Sequence, residues 1–79
     1  MKIVNEAIRV DFPPEGGNTP RLIAWRDQVY SVLHLQEEWK VCSKWWTQEV
    51  ERHYMLLQTD QFMMEVYRQA DDWKLYRLY

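Results

Sequence analysis

Apolar and polar residues alternate near the start of the chain with a period of two. In the segment AIRVDF, Ile8, Val10 and Phe12 fall on one face, and Arg9 and Asp11 fall on the other. Successive side chains of a strand point to opposite faces, so this alternation is typical of a half-buried strand. It predicts a first strand over residues 7–12.

All the glycines and prolines lie in one segment, PPEGGNTP, which covers residues 13–20. Proline lacks a ladder donor and paired glycines cost backbone entropy, so neither a helix nor a central strand should cross this segment. It predicts a loop or linker between the first strand and the rest. We expect residues 1–79 to form a single small domain.

Short polar breaks divide the remaining chain into apolar runs. RLIAWR and VYSVLHLQ flank Asp27-Gln28, RHYMLLQT and FMMEVYRQ flank Asp60-Gln61, and a turn at residues 70–72 leads into WKLYRLY. This arrangement predicts successive hairpins. Tight hairpin turns favour glycine where φ is positive, so Gln28 in a glycine position indicates a longer or bulged turn.

A helical alternative exists for residues 44–79. Trp46, Val50, His53 and Leu57 fall at helical spacing, and this half is rich in Gln, Glu, Met and Leu, which favour helices. The pattern alone therefore leaves a hairpin sheet and a pair of helices about equally favoured.

The composition is that of one small folded domain. The chain has 79 residues, of which 47% are hydrophobic, with five Trp and five Tyr. Such a chain is too apolar for disorder, although it can hide only about 60% of its unfolded surface. Its aromatic side chains bury large areas and can supply an adequate core. We predict Trp39 and Trp73 to be core residues.

Charge and cysteine content narrow the class of protein. The net charge is -2, and both halves of the chain carry basic and acidic residues in similar numbers, which argues against a general nucleic-acid coat. Cys42 is the only cysteine, so an internal disulfide is excluded. Charges interrupt the N-terminal segment and no apolar run approaches membrane-spanning length. We expect a soluble cytoplasmic protein with no membrane contact.

No residue pattern indicates catalysis or a bound cofactor. HLQEE holds His34 and two carboxylates, but a metal site needs three or four converging ligands, and the only other soft ligands are Cys42 and His53. Cys42 lacks a marked base and oxyanion site, and GGNT lacks the lysine of a phosphate-binding loop. We expect no metal, no cofactor and no enzymatic activity.

The segment KWWTQEVERHY combines aromatic and basic residues. Its two adjacent tryptophans cannot share one face of a strand, so we expect one of them in the core and the other exposed. Aromatics beside cations are typical both of protein interfaces and of single-stranded nucleic-acid platforms. The candidate interaction surface comprises Lys44, Trp45, Trp46, Arg52, Tyr54 and Arg68.

Several short motifs resemble a small bacterial domain of unknown function that is associated with relatives of Y-family, translesion-type DNA polymerases. The similarity covers residues 21–79, and its most specific part is the Trp-Trp pair followed by Arg-x-Tyr. The matching positions are Trp25-Arg26, Trp39-Lys40-Val41, Trp45-Trp46, Arg52, Tyr54, Val66-Tyr67-Arg68, Trp73 and Leu75. The resemblance implies an all-β antiparallel domain without catalytic activity, and it favours the sheet over the helices.

Apolar residues on both sides of the predicted strands indicate how the sheet is arranged. Met64 and Val66 fall on one side, whereas Met63 and Tyr67 fall on the other, so a flat open sheet would leave an apolar face in water. We predict an all-β fold: a strongly twisted antiparallel sheet or barrel-like domain of about six strands.

Two functions follow as expectations. The first is an accessory interaction module of bacterial DNA-damage tolerance, which docks a polymerase-like protein partner. The second is single-stranded DNA or RNA binding. The balanced charge favours the first, because nucleic-acid affinity comes mostly from phosphate neutralisation. Self-association stays open at this level.

Overall fold

The computed structural model describes residues 2–45 and 48–79, and at Trp45 and Gln48 it describes the backbone alone. Seven strands form one antiparallel sheet, and the described residues contain no helix. The strands are β1 (Lys2–Ala7), β2 (Arg9–Asp11), β3 (Leu22–Trp25), β4 (Gln28–Trp45), β5 (Gln48–Thr59), β6 (Met63–Gln69) and β7 (Asp72–Leu78). The all-β prediction is therefore confirmed, and the helical alternative is wrong.

The sheet curls strongly into an open half-barrel whose two edge strands follow one another in the chain. The spatial order is β1-β7-β6-β5-β4-β3-β2, so β1 and β2 lie at opposite edges although only Ile8 separates them. The Ile8 amide donates to the Trp73 carbonyl at 3.1 Å. The first element thus starts earlier than predicted and divides at Ile8, which makes seven strands rather than six.

The core lies on the inner face of the curl. Alternate residues of the strands supply it, as the period of two requires, and Met55 with Leu57 on β5 and Met64 with Val66 on β6 are all nearly inaccessible. The buried core cluster is Ile23, Trp25, Tyr30, Met55, Leu57, Met64, Val66 and Leu75. Burying each such side chain stabilises the fold by about 1.5 to 3 kcal/mol.

The two predicted tryptophans differ in burial. Trp73 is half-buried and packs against the core. Trp39 is 36% exposed, so its assignment to the core is wrong. Its strand position explains the error: Trp39 pairs with Tyr54, whose neighbour Met55 points into the core, so both rings lie on the outer face.

Glu6 connects one edge of the curl to a strand near the other edge. Its carboxylate accepts hydrogen bonds from Trp25 Nε1 at 3.0 Å and from Arg26 Nη2 at 2.8 Å. Arg26 begins the turn between β3 and β4 with φ of 57°, a conformation that costs energy in a residue with a side chain. The turn is Arg26-Asp27, one residue earlier than predicted, and Glu6 holds it in place.

A threonine hydroxyl organises the turn between β5 and β6, which has no glycine. Thr59 Oγ1 accepts from the amides of Gln61 and Phe62 at 3.2 and 2.9 Å and donates to the Phe62 carbonyl at 2.7 Å. Asp60 then links this turn to Ser31 of β4 through its backbone and its carboxylate. The turn therefore adjoins the point where β4 changes its partner from β3 to β5.

The segment between β2 and β3 contains no strand, as predicted for residues 13–20. Gly16 and Gly17 both take positive φ there, a conformation that glycine adopts without strain. No helix able to cross a membrane occurs among residues 2–45 and 48–79.

Candidate interaction surface on the outer face

Four aromatic rings form a row across the outer face of β4, β5, β6 and β7. Trp39 stacks on Tyr54 with ring centroids 5.5 Å apart and an interplanar angle of 2°, and Tyr54 lies 5.1 Å from Tyr67. Tyr76 meets the rings of both Tyr54 and Tyr67 edge-on at 6.2 Å. We call Trp39, Tyr54, Tyr67 and Tyr76 the aromatic row.

Register places these rings together. Tyr54 lies directly opposite Trp39 on one side and Tyr67 on the other, and directly opposed side chains are near enough for ring contact. A bulge follows in β7, where Val66 pairs with Leu75 but Glu65 pairs with Arg77. The bulge brings Tyr76 into the row, because the extra residue has no partner of its own in β6.

The middle of the row is fixed at Tyr67, whereas its β4 end is open. Tyr67 is buried, and its hydroxyl donates to Asn5 Oδ1 at 3.3 Å. Trp39 is partly exposed and has no ring partner beyond Tyr54 among the described residues. Within the row, Trp39 is exposed, Tyr54 and Tyr76 are half-buried, and Tyr67 is buried.

Arg52 is the one predicted cation held against the row. Its Nε donates to Gln69 Oε1 at 3.0 Å and its Nη1 to the Tyr54 hydroxyl at 3.4 Å, while the guanidinium lies 4.9 Å from the centre of the Tyr67 ring. The hydrogen bond to Tyr54 raises the pKa of Arg52 above its ordinary value, so the group stays charged. A pre-positioned guanidinium suits a carboxylate of a ligand.

An open groove adjoins Arg52, at the base of a protruding hairpin. We call residues 41–45 and 48–52 the arm, because they pair only with each other, whereas pairing between β5 and β6 starts at His53. The groove has a volume of about 430 Å³. Its lining residues are Ser43, Lys44, Val50, Arg52 and Gln69.

The six sequence-predicted residues divide into three groups. Arg52 and Tyr54 lie together in the row, and Lys44 lines the adjoining groove. Arg68 lies opposite His53, next to Tyr67 but on the other face, with its guanidinium 6.0 Å from the Trp73 ring. Arg68 therefore does not belong to this surface.

The tryptophan pair falls largely outside the described residues. Trp46 lies outside them, and Trp45 is described only in its backbone, which pairs with Gln48 at the end of the arm. The prediction that one of the two rings is exposed thus stays a prediction.

Sequence reasoning missed most of the row. Trp39, Tyr67 and Tyr76 were absent from the predicted surface, as was Gln69, which positions Arg52. For Tyr67 and Tyr76 the position beside a core residue is a usable signal, since the neighbours of buried Val66 and Leu75 point away from the core. What the sequence lacks is the register that aligns them across strands.

The inner side of β4 and the arm carries charged pairs. His53 Nε2 lies 3.0 Å from Glu38 Oε2, and Lys40 Nζ lies 3.6 Å from Glu51 Oε1. The Lys40–Glu51 pair is largely exposed, so it contributes little stability, whereas His53 is mostly buried beside the half-exposed Glu38. In the described ranges, 2–45 and 48–79, no three His, Cys, Asp or Glu side chains are grouped as metal ligands.

The fold and this surface define a small open half-barrel of antiparallel strands with an aromatic and basic outer face. The chain matches the family model of a domain of unknown function, DUF6504, over residues 1–79. The protein therefore belongs to the DUF6504 family. No curated protein and no solved structure matches the chain.

Proposed function

We propose that this protein is a non-enzymatic interaction module that docks a protein partner through Trp39, Arg52 and the groove beside them. The observation that carries the proposal is the fixed position of Arg52 beside an aromatic row whose open end is Trp39. Trp, Tyr and Arg are the residue types that most often dominate the energy of protein interfaces. A partner segment that offers an apolar side chain to Trp39 and a carboxylate to Arg52 fits this surface.

The partner we propose is a translesion-type, Y-family polymerase relative, in the cytoplasm of a bacterium. This choice rests on the resemblance carried by the Trp-Trp and Arg-x-Tyr motifs and on no feature of the geometry. In this role the module positions the polymerase-like protein and performs no chemistry.

The rings of the aromatic row cover one another, which favours protein over single-stranded nucleic acid as the ligand. A base-stacking platform needs free ring faces, but in this row Tyr54 is covered by Trp39 and Tyr67. Of the four rings of the row only Trp39 is exposed, and the two guanidinium groups on the row, those of Arg52 and Arg77, lie over Tyr67 and Tyr76. Single-stranded DNA binding is the alternative, supported by the stacked rings and Arg52.

Variant affinities test the docking surface. Titration of the fluorescently labelled module with a purified translesion-type polymerase relative gives Kd for the wild type and for Arg52→Ala, Arg52→Lys and Trp39→Ala. We expect a loss of about 30-fold or more for Arg52→Ala and Trp39→Ala, as for interface residues worth at least about 2 kcal/mol. Arg52→Lys keeps the charge but not the paired donor geometry of the guanidinium, so its Kd should lie between those of the wild type and Arg52→Ala.

Val29→Ala is the matched control, because Val29 is 63% exposed on β4 but lies at the opposite end of the strand. Its affinity should equal that of the wild type. An unchanged Kd for Arg52→Ala would contradict the proposed surface. Binding of single-stranded DNA that weakens with salt and depends on Arg52 would instead favour the alternative.

A further inference from the structure

One backbone edge of β4 has no strand partner over most of its length. On that edge β4 pairs with β3 only from Gln28 to Ser31, while its other edge pairs with β5 from Val32 to Trp45. Arg21 caps the next position, where its carbonyl accepts from the Val32 amide at 2.9 Å. Among the strands that the structure describes, none covers this edge over residues 36–44, all of which are exposed.

This stretch is long enough to receive another strand. Nine residues of antiparallel strand span about 30 Å, and their outward N–H and C=O groups form a template for pairing. The stretch contains no proline or glycine to interrupt pairing. Two features limit unspecific pairing: the shift in register of β4 between Leu35 and Glu37, and the charged side chains of Glu37, Glu38, Lys40 and Lys44.

The order of those charges makes the edge complementary to itself. Glu38 precedes Trp39 and Lys40 follows it, so a second copy running antiparallel can place acid opposite base at these two positions, whereas Glu37 would face Val41 and Lys44 would face His34. With Trp39 opposite Trp39 of the second copy, Glu38 lies opposite Lys40 in both directions. A parallel copy in the same register would instead place like charges side by side, which is unfavourable.

The aromatic row supplies a second, independent argument. Its open end, Trp39, lies at this edge and is 36% exposed. Directly opposed residues of an antiparallel pair have Cβ atoms about 4.5 to 5.5 Å apart, so the two Trp39 rings would meet. Aromatic pairs of this kind contribute about 0.5 to 1.5 kcal/mol beyond their buried area.

We propose that two copies of this chain associate by antiparallel pairing of their free β4 edges, centred on Trp39. The paired edges form one continuous sheet through both half-barrels, and the two aromatic rows join across the symmetry axis. Trp39 and two residues that line the groove, Ser43 and Lys44, belong to both surfaces, so dimerisation would compete with the docking of a protein partner. The proposal goes beyond the docking function and is tested separately from it, because Glu38 and Lys40, which the test exchanges, are not part of the docking surface.

Charge exchange between two variants tests this pairing. Sedimentation velocity from about 5 to 500 μM should show a reversible dimer of the wild type, a range that covers the micromolar Kd values of weak associations. Glu38→Lys places lysines opposite lysines in the paired edges, and Lys40→Glu places glutamates opposite glutamates. Each variant alone should weaken dimerisation about tenfold or more.

An equimolar mixture of the two variants restores acid opposite base in the heterodimer. The mixture should therefore dimerise with close to wild-type affinity, and mass spectrometry should find one copy of each. Neither change should prevent folding, since the side chains of Glu38 and Lys40 are 49% and 64% exposed. Glu15→Lys, in the loop between β2 and β3, is the matched charge control and should dimerise like the wild type.

Three outcomes would overturn the proposal. The first is a wild type that stays monomeric to 500 μM. The second is a dimer that neither single variant weakens, which would indicate another interface. The third is a mixture that remains as monomeric as its two components.

Discussion

Replacing Thr59 by valine tests whether its hydroxyl holds the glycine-free turn between β5 and β6. Thr59 is 1% exposed, and its Oγ1 makes three hydrogen bonds within the turn, to the Gln61 amide and to the amide and carbonyl of Phe62. Valine keeps the shape and removes all three. The backbone bond from the Thr59 amide to the Phe62 carbonyl survives, so the hairpin can still form.

The expected cost follows from these contacts. A lost hydrogen bond costs about 0.5 to 1.5 kcal/mol net, and a buried donor left without an acceptor costs about 1 to 3 kcal/mol. Gln61 is exposed, so its amide can bond to water and avoids the full cost of an unsatisfied donor. We therefore expect Thr59→Val to lower the free energy of unfolding by about 2 to 3 kcal/mol. For a domain of this size that loss lowers Tm by roughly 8 to 24 °C.

The assay is urea unfolding followed by tryptophan fluorescence, with Thr59→Ser as the matched control. Serine keeps the hydroxyl and removes one methyl group, which costs about 1 kcal/mol. Valine should therefore be clearly less stable than serine, with equal m-values. If Thr59→Val proves as stable as Thr59→Ser, the hydroxyl does not organise this turn and the reasoning fails.

Two further predictions concern the closure of the curl and the two faces of the sheet. Hydrogen bonds from Arg26 and, to a smaller extent, from Trp25 lower the pKa of Glu6. The ionised carboxylate therefore stabilises the fold above the ordinary glutamate pKa, and this stabilisation is lost as pH falls through the lowered pKa. In urea unfolding at pH 3 to 7, Glu6→Gln should lose less stability on acidification than the wild type, and parallel curves for the two proteins would contradict this assignment. Trp25→Ala should cost about 3 to 5 kcal/mol, because Trp25 is 93% buried in the core. Trp39→Ala should cost distinctly less, and equal losses in the same unfolding assay would mean that the outer row is as structural as the core.

Much of the fold follows from local patterns. The polar breaks located the later turns to within one residue, although for residues 44–79 only the family resemblance decided between strands and helices, and the position of the prolines and glycines located the long loop. These features are predictable because strand alternation and backbone restriction act over a few residues. The division at Ile8 is not local, because it depends on pairing with β7 at one edge and β3 at the other.

The candidate site was less predictable for the same reason. Tyr54 and Arg52 lie in one short motif and were found, whereas Tyr67 and Tyr76 come from distant strands aligned by register and a bulge. Trp39 was assigned to the core because tryptophan is large and apolar, but strand parity places it outside. Which face of β4 carries Trp39 becomes evident only when its partner Tyr54 is known to be next to the buried Met55.

Amide chemical-shift mapping of the ¹⁵N-labelled protein tests the proposed docking surface most directly. Two titrations are compared, one with a purified translesion-type polymerase relative and one with short single-stranded DNA at low salt. The account predicts that the polymerase relative shifts the amides around Trp39, Arg52, Tyr54 and Gln69, while Arg68 and the inner face change little and DNA has no comparable effect. Unchanged amides at Trp39 and Arg52 with the polymerase relative, or a larger salt-sensitive response to DNA, would contradict it.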